Sequence, residues 1–248
     1  MTHMSTKIAL VTGANKGIGL ATAEQLAQAG VKVFAASRNE AKGKAAVATL
    51  SEKGLDVTYI KLDVNSQADI DAVYEFFNSN YGRLDILVNN AGIQIESDNW
   101  GENTATDISA PALRETFDTN FFSVVSLTNT LLPLLKKSSA GRIVNLSSIL
   151  GSLHLHATPG SPIYDSKLFA YNASKTALNA YTIHLAHALK NTNIQVNAAH
   201  PGWVKTDLGS NAAPMSIADG AKTSVALALA GEEGSTGKYI HLGAELPW

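Results

Sequence analysis

The chain has 248 residues, a formal net charge of −2 and no cysteine; 45% of its residues are hydrophobic and 16% charged. That length and composition predict one soluble domain over residues 1–248 with enough apolar material for a sizeable core. The charge balance advertises no basic surface to nucleic acid or anionic lipid, and the lack of cysteine excludes disulfides, thiolate catalysis and cysteine metal sites.

The predicted elements alternate along the chain. Strands are expected over 7–12, 31–36, 57–61, 86–89, 142–146 and 194–198, and helices over 17–29, 41–53, 67–81, 113–135 and 171–190. Gly30 and Gly54 stop the first two helices. Strands alternating with helices imply right-handed crossovers and a mainly parallel sheet, so the fold class is α/β, doubly wound. Two stretches, 94–112 and 152–170, read as loops long enough to serve as lids or pocket walls. No apolar run approaches the roughly 18 residues of a membrane span. The opening residues carry no secretory pattern, Met4 is a candidate start, and the cytoplasm is the expected location.

The first strand runs into Thr12-Gly13-Ala14-Asn15-Lys16-Gly17-Ile18-Gly19. Glycines here permit a tight turn and close approach of a pyrophosphate, and the helix that follows offers free N–H groups and the positive end of its dipole. At the end of the second strand an acid would hold the ribose 2′-hydroxyl of NAD, whereas a basic residue would hold the 2′-phosphate of NADP. The chain has Arg38 there and Lys16 in the turn, which favours NADP; the plainer reading is that both are solvated surface charges.

Tyr171 and Lys175 lie four apart at the start of a long predicted helix, so phenol and ammonium share a face. The cation is expected to lower the phenol pKa, fitting Tyr171 to protonate a developing alkoxide. By itself the pair is more often helix surface. Ser147 and Ser148 end the strand over 142–146, where ligands of open parallel sheets bind; a serine there either steadies a substrate oxygen or caps a turn. Asn120 sits within a predicted helix among apolar residues, and either holds a proton-relay water or satisfies a helix kink. Tyr164 and Lys167 are only three apart, which makes Tyr164 the weaker alternative acid or a pocket residue.

Taken in order, Thr12 to Gly19, Leu62-Asp63-Val64, Asn89-Asn90-Ala91-Gly92, Asn120, Ser148, Tyr171 with Lys175, and Pro201-Gly202 resemble the short-chain dehydrogenase/reductases over nearly the whole chain. The resemblance implies a Rossmann-type sheet of about seven strands and an Asn–Ser–Tyr–Lys tetrad. On that pattern Asn120 holds the relay water and Ser148, rather than Ser147, orients the carbonyl. Tyr171 is the acid/base, and Lys175 tunes it and binds the nicotinamide ribose. Gly13, Asn15, Lys16, Gly17, Ile18, Gly19 and Arg38 form the phosphate end of the cofactor site. Asp63 meets the adenine and Asn90 lies under its ribose, with Val64, Ala91 and Gly92 also in the cofactor site. Pro201, Gly202, Val204 and Thr206 form the nicotinamide and pyrophosphate loop.

Within the family the chain looks most like the NADPH-dependent carbonyl reductases, through Asn15 to Gly19, Thr119 to Phe122, Pro201 to Asp207 and the terminal Pro247-Trp248. The implied activity is reduction of a ketone or aldehyde to an alcohol, with NADPH as cofactor and a small carbonyl or alcohol as the partner molecule. The vertebrate carbonyl reductases carry a longer insert before the catalytic tyrosine and are monomers; the shorter insert here leaves a homo-oligomer open. By family position Ile149, Leu150, Trp203 and Leu208 face the substrate, with Leu153 and His156 in the insert, and an apolar pocket of this kind suits bulky or aromatic carbonyls. His154, His156 and His200 have no spacing of a metal site, so no metal is expected. A cofactor-binding sensor without catalysis would lack a tetrad member, and an extended epimerase would carry a larger C-terminal domain.

Overall fold

The computed structural model describes residues 6–96 and 104–248. Met4 and part of the first predicted loop lie outside the described residues. Strand β1 (Ile8–Thr12) is buried at every position, as a parallel strand covered on both faces must be. Successive side chains leave opposite faces. Leu10 joins Phe34, Leu87 and Ile143 in one core cluster, and Val11 joins Ala35, Val88 and Val144 in another. The first cluster is closed by α3 (Gln67–Asn80), α5 (Ser123–Leu135) and α7 (Phe169–Ala188). The second is closed by α1 (Gly17–Gln28), α2 (Glu40–Ser51) and α8 (Ile217–Leu229).

The remaining strands are β2 (Lys32–Ser37), β3 (Val57–Lys61), β4 (Ile86–Asn89), β5 (Arg142–Leu146), β6 (Gln195–Ala199), β7 (Tyr239–His241) and β8 (Ala244–Glu245). All join one sheet in the order β3-β2-β1-β4-β5-β6-β7-β8. Every pairing is parallel except the β7–β8 hairpin. The fold is the expected Rossmann-like α/β sheet, with a two-residue eighth strand beyond the seven anticipated. The winding reverses between β1 and β4, and such a reversal opens a crevice at the carboxyl ends of the strands.

The helix expected over 113–135 is three pieces. It starts as α4 (Ala110–Phe117) behind the cap residue Ser109, passes through a π-helical turn (Asp118–Phe122), and continues as α5. The stretch 152–170, expected as loop, holds the short helix α6 (Leu153–Ala157) after a 3₁₀ turn (Ile149–Gly151). Side chains of Asn39, Ser66, Ser109 and Ser216 accept from first-turn N–H groups of α2, α3, α4 and α8. Helices α1 and α7 start without such a local cap, and both start at the crevice. Among the described residues no helix is long and apolar enough to cross a membrane.

Candidate active site

Between β1 and α1 the backbone turns through Gly13 (φ +64°) and Gly17 (φ +57°), in the left-handed region that favours glycine. A Cβ on Gly19 would lie 2.4 Å from Asn90 Nδ2 and 2.6 Å from the Gly13 carbonyl oxygen, so no side chain fits. The turn is braced from β4. Asn90 Nδ2 donates to the carbonyls of Thr12 (2.7 Å) and Gly13 (3.3 Å), while Asn90 N and Ala91 N donate to Thr12 Oγ1. Asn90, expected by the adenine ribose, thus spends its amide on the shape of the turn. The result is a side-chain-free cradle over an uncapped helix start, which fits a dinucleotide pyrophosphate. Arg38 is exposed just past β2, and Asp63 and Val64 follow β3, all at carboxyl ends of strands. Lys16 is engaged by Asp207 across the mouth of the crevice.

Helix α7 brings Tyr171 and Lys175 to one face, with the Lys175 ammonium 5.6 Å from the centre of the phenol ring. Lys175 Nζ donates to the Leu146 carbonyl (2.8 Å), at the end of β5. The Ser148 side chain acts on the Tyr171 phenol, pulling its pKa down, whereas Ser147 Oγ turns inward to Asn179 Oδ1 (2.6 Å). Of the two serines the second is therefore the one beside the phenol. Gly151 lets the turn carrying Ser148 press on α7, where a Cβ would meet the Lys175 main chain at 2.9 Å.

Both groups are buried, and burial disfavours charge on each. It pushes the Tyr171 phenol up to about 12, with the polar side chain of Ser148 pulling down, and lowers Lys175 to about 8. The phenol shift runs opposite to the lowering expected from the lysine, because desolvation outweighs every other influence on the phenol in this environment.

Asn120 is fully buried in the π-helical turn. Its Oδ1 accepts from Ile93 N (2.8 Å), and its Nδ2 donates to the Ile93 carbonyl (2.8 Å) and Ser174 Oγ (3.0 Å). Both amide hydrogens are committed to joining the segment after β4 to α7. Gly92 keeps space beside this joint, since its Cβ would lie 3.3 Å from Asn120 Oδ1 and 3.5 Å from Lys175 Nζ.

The segment after β6 folds back over the glycine turn. Gly202 (φ +90°) has no room for a Cβ against Met215, Val204 bridges to Met215, and Thr206 Cγ2 would meet a Cβ on Gly17 at 3.6 Å. Trp203 and Leu208 are about half exposed, and Trp203 Nε1 donates to the Gly209 carbonyl. Ile149 is half-buried, whereas Leu150 is buried in a small cluster with Ile163, Leu168 and Tyr171 and supports the phenol from behind. Leu153, Tyr164 and Phe169 also present exposed apolar surface on the elements next to Tyr171. His156 is held by the Leu150 carbonyl and by Lys167, not by other histidines. No group of metal-ligating side chains occurs among the described residues.

Residues 7–216 match the short chain dehydrogenase family. The chain belongs to that family. It is 37% identical over 238 residues to the short-chain dehydrogenase anuI of Penicillium roqueforti, spanning 93% of this chain and 92% of that protein. It is 35% identical over 260 residues to the NADPH carbonyl reductase 3 of Rattus norvegicus, spanning 90% and 91%. The NADPH-bound carbonyl reductase from chicken fatty liver superposes with a TM-score of 0.83 at 28% identity, over 98% and 99% of the two chains.

As a short-chain dehydrogenase the chain is an oxidoreductase of small molecules, and its site contains residues that motif reading passed over. Tyr239, fully buried on β7, donates to the Ser148 carbonyl and stacks on Trp248 with ring centres 5.4 Å apart. His200 Nδ1 accepts from Ile149 N (3.1 Å) and Gly202 N (3.4 Å), tying the Ser148 turn to the segment after β6. Burial, with His241 beside it, depresses the His200 pKa to about 3, so it stays a neutral acceptor. Neither residue belongs to a spacing pattern; each meets the site from a strand remote in sequence.

Proposed function

We propose that this short-chain dehydrogenase reduces a ketone or aldehyde to an alcohol with NADPH, and runs the reverse oxidation when the cofactor ratio favours it. The reading rests above all on the Lys175 ammonium 5.6 Å from the Tyr171 ring, with Ser148 acting on the same phenol, beside the glycine cradle. When bound, the nicotinamide supplies the hydride taken up by the carbonyl carbon. Ser148 donates to the carbonyl oxygen and fixes its position. Tyr171, kept neutral by burial, holds the proton that this oxygen needs as negative charge develops. Lys175 then stabilises the phenolate left behind, an effect that grows as water is excluded. Asn120 holds Ile93 and Ser174 in place around both groups, and its remaining lone pair is free to accept from a relay water.

The cofactor end follows the same logic. The turn from Gly13 through Asn15, Gly17 and Ile18 to Gly19 takes the pyrophosphate. Asp63 and Val64 take the adenine, Asn90 to Gly92 border its ribose, and Lys175 binds the nicotinamide ribose. Pro201, Gly202, Val204 and Thr206 close over the phosphates. Arg38 holds the 2′-phosphate, joined by Lys16 once it leaves Asp207, an exposed pair that costs little to break. Ile149, Trp203 and Leu208 favour an apolar carbonyl substrate with few polar anchors. The eight strands among the described residues sit in one sheet, which supports reading 1–248 as a single unit.

The test is turnover. Protein mixed with NADPH and a panel of ketones and aldehydes is expected to consume nicotinamide absorbance. Tyr171→Phe is expected to lower kcat by at least about 100-fold, the usual scale of acid catalysis, while NADPH still quenches protein fluorescence. A variant as active as the parent removes Tyr171 from the reaction; an inert parent that binds NADPH points to a sensor.

A further inference from the structure

Helix α7 carries Tyr171 and Lys175, yet its own N-cap, Leu168, has no side chain to offer the first-turn N–H groups. Those donors go elsewhere. Glu96, buried in the segment after β4, accepts from Ala170 N with Oε1 (2.8 Å) and from Tyr171 N with Oε2 (2.8 Å). These are the second and third helical residues, the donors that a local cap would normally satisfy. A carboxylate placed there also sits at the positive end of the helix dipole.

The segment that carries Glu96 is anchored at its other end too. Ile93 is held through both its N–H and its carbonyl by the Asn120 amide, and the same amide reaches Ser174 Oγ. Ser174 Oγ in turn donates to the Tyr171 carbonyl (2.7 Å). The main chain of Tyr171 is therefore gripped on both sides, at its N–H by Glu96 and at its carbonyl by Ser174. Asn120 links the two grips, and a four-residue strap, 93–96, spans them.

We infer that Glu96 is a positioning residue for the reaction, a long-range cap that sets the place of the Tyr171 phenol relative to Ser148. The inference rests on the reading of Tyr171 as the acid. A helix start free to fray displaces the phenol, and displacements of about 1 Å can cost on the order of 100-fold in rate. Glu96 touches neither reacting atom; it acts through the backbone of the residue that does.

The experiment compares Glu96→Ala and Glu96→Gln with the full-length parent, each first shown to be folded by its melting transition. Gln keeps one acceptor and turns an amide N–H₂ toward the other donor, so it separates loss of the grip from loss of bulk. Amide hydrogen exchange over residues 168–175 is expected to quicken at least ~10-fold in both variants, by loss of a helix-start hydrogen bond, with β5 and β6 unchanged. At saturating NADPH kcat is expected to fall about 10-fold or more for Glu96→Ala and by less for Glu96→Gln, with NADPH affinity within about twofold. Unchanged exchange overturns the grip. Faster exchange, or a lowered melting temperature, with kcat preserved overturns the link to catalysis and leaves a stabilising cap. A parent without carbonyl turnover, or an active Tyr171→Phe, overturns the reading of Tyr171 itself. The exchange arm needs no turnover, so the two failures are told apart.

Discussion

Tyr239 donates its phenol hydroxyl to the main-chain carbonyl of Ser148, so the turn that carries one half of the Tyr171–Ser148 pair is held from the last parallel strand of the sheet. The ring is fully buried, and the stack on Trp248 brings the end of the chain into the support of the site. His154 N donates to the Trp248 carbonyl (2.9 Å), which extends the same support to α6.

Tyr239→Phe keeps the ring and its stack and removes one hydrogen bond. Because the Ser148 carbonyl loses the phenol but keeps the Gly151 N–H, the variant is expected to be about 0.5–1.5 kcal/mol less stable, read from urea denaturation. Ser148 is expected to wander, raising KM for the carbonyl more than the Kd for NADPH. Parent-like stability and KM would show that the hydrogen bond supports nothing.

Gly19→Ala tests the cradle. The added methyl would lie 2.4 Å from Asn90 Nδ2 and 2.6 Å from a carbonyl oxygen of the turn, and neither the braced amide nor the backbone can yield cheaply. We expect a loss of about 1–3 kcal/mol in stability from overpacking and at least ~10-fold weaker NADPH binding by titration calorimetry, since the phosphate cradle deforms. A Gly17→Ala change meets open space apart from Thr206 and is penalised mainly through its positive φ.

Arg38→Asp reverses the charge at the end of β2. Repulsion of a 2′-phosphate and a new partner for a 2′-hydroxyl are expected to shift the ratio of kcat/KM values for NADPH and NADH by ~100-fold or more toward NADH, about 3 kcal/mol. Steady-state kinetics with both cofactors decides it. An NADPH preference that survives the change assigns the 2′-phosphate to other residues.

Lys175 has a pH signature of its own. Burial lowers its pKa from 10.5 to about 8. Below about pH 8 both folded and unfolded chains hold the proton, and the folded chain bears the full cost of a buried charge. Between about 8 and 10.5 the unfolded chain binds more protons, so this group adds stability as pH rises. The parent is therefore expected to gain on Lys175→Met by about 1–3 kcal/mol between pH 7.5 and 10, from urea denaturation at each pH. The Tyr171 shift, up to about 12, works in the other direction only above pH 10, where the folded chain keeps the proton that the unfolded chain releases. A pH-independent difference would mean the ammonium is better solvated than its surroundings suggest.

Local pattern was enough for much of this molecule. Short β-branched runs marked β3, β4 and β5 at their true ends; β4 and β5 are buried at every position, whereas the edge strand β3 buries only Val57. The glycines of the first turn and the four-residue spacing of Tyr171 and Lys175 were legible because backbone sterics and helical periodicity are written in neighbouring residues. The π-helical turn at Asn120 was not, since it is settled by side chains reaching Ile93 and Ser174 across the crevice. Nor did short β7, or Ala-rich α8, carry a periodicity strong enough to announce itself.

Only the folded chain decided the environment of the chemistry. The phenol is surrounded by Leu150, Ile163 and Leu168, residues whose burial depends on how α6 and the 3₁₀ turn pack against α7, and that burial moves its pKa upward against the pull expected from spacing alone. Lys16 meeting Asp207, Tyr239 meeting Ser148 and Glu96 meeting Tyr171 join residues 191, 91 and 75 positions apart. Sequence fixes which chemical groups exist and which lie on one face of an element. Desolvation and contact between elements are properties of the packed whole, and they determine what those groups can do.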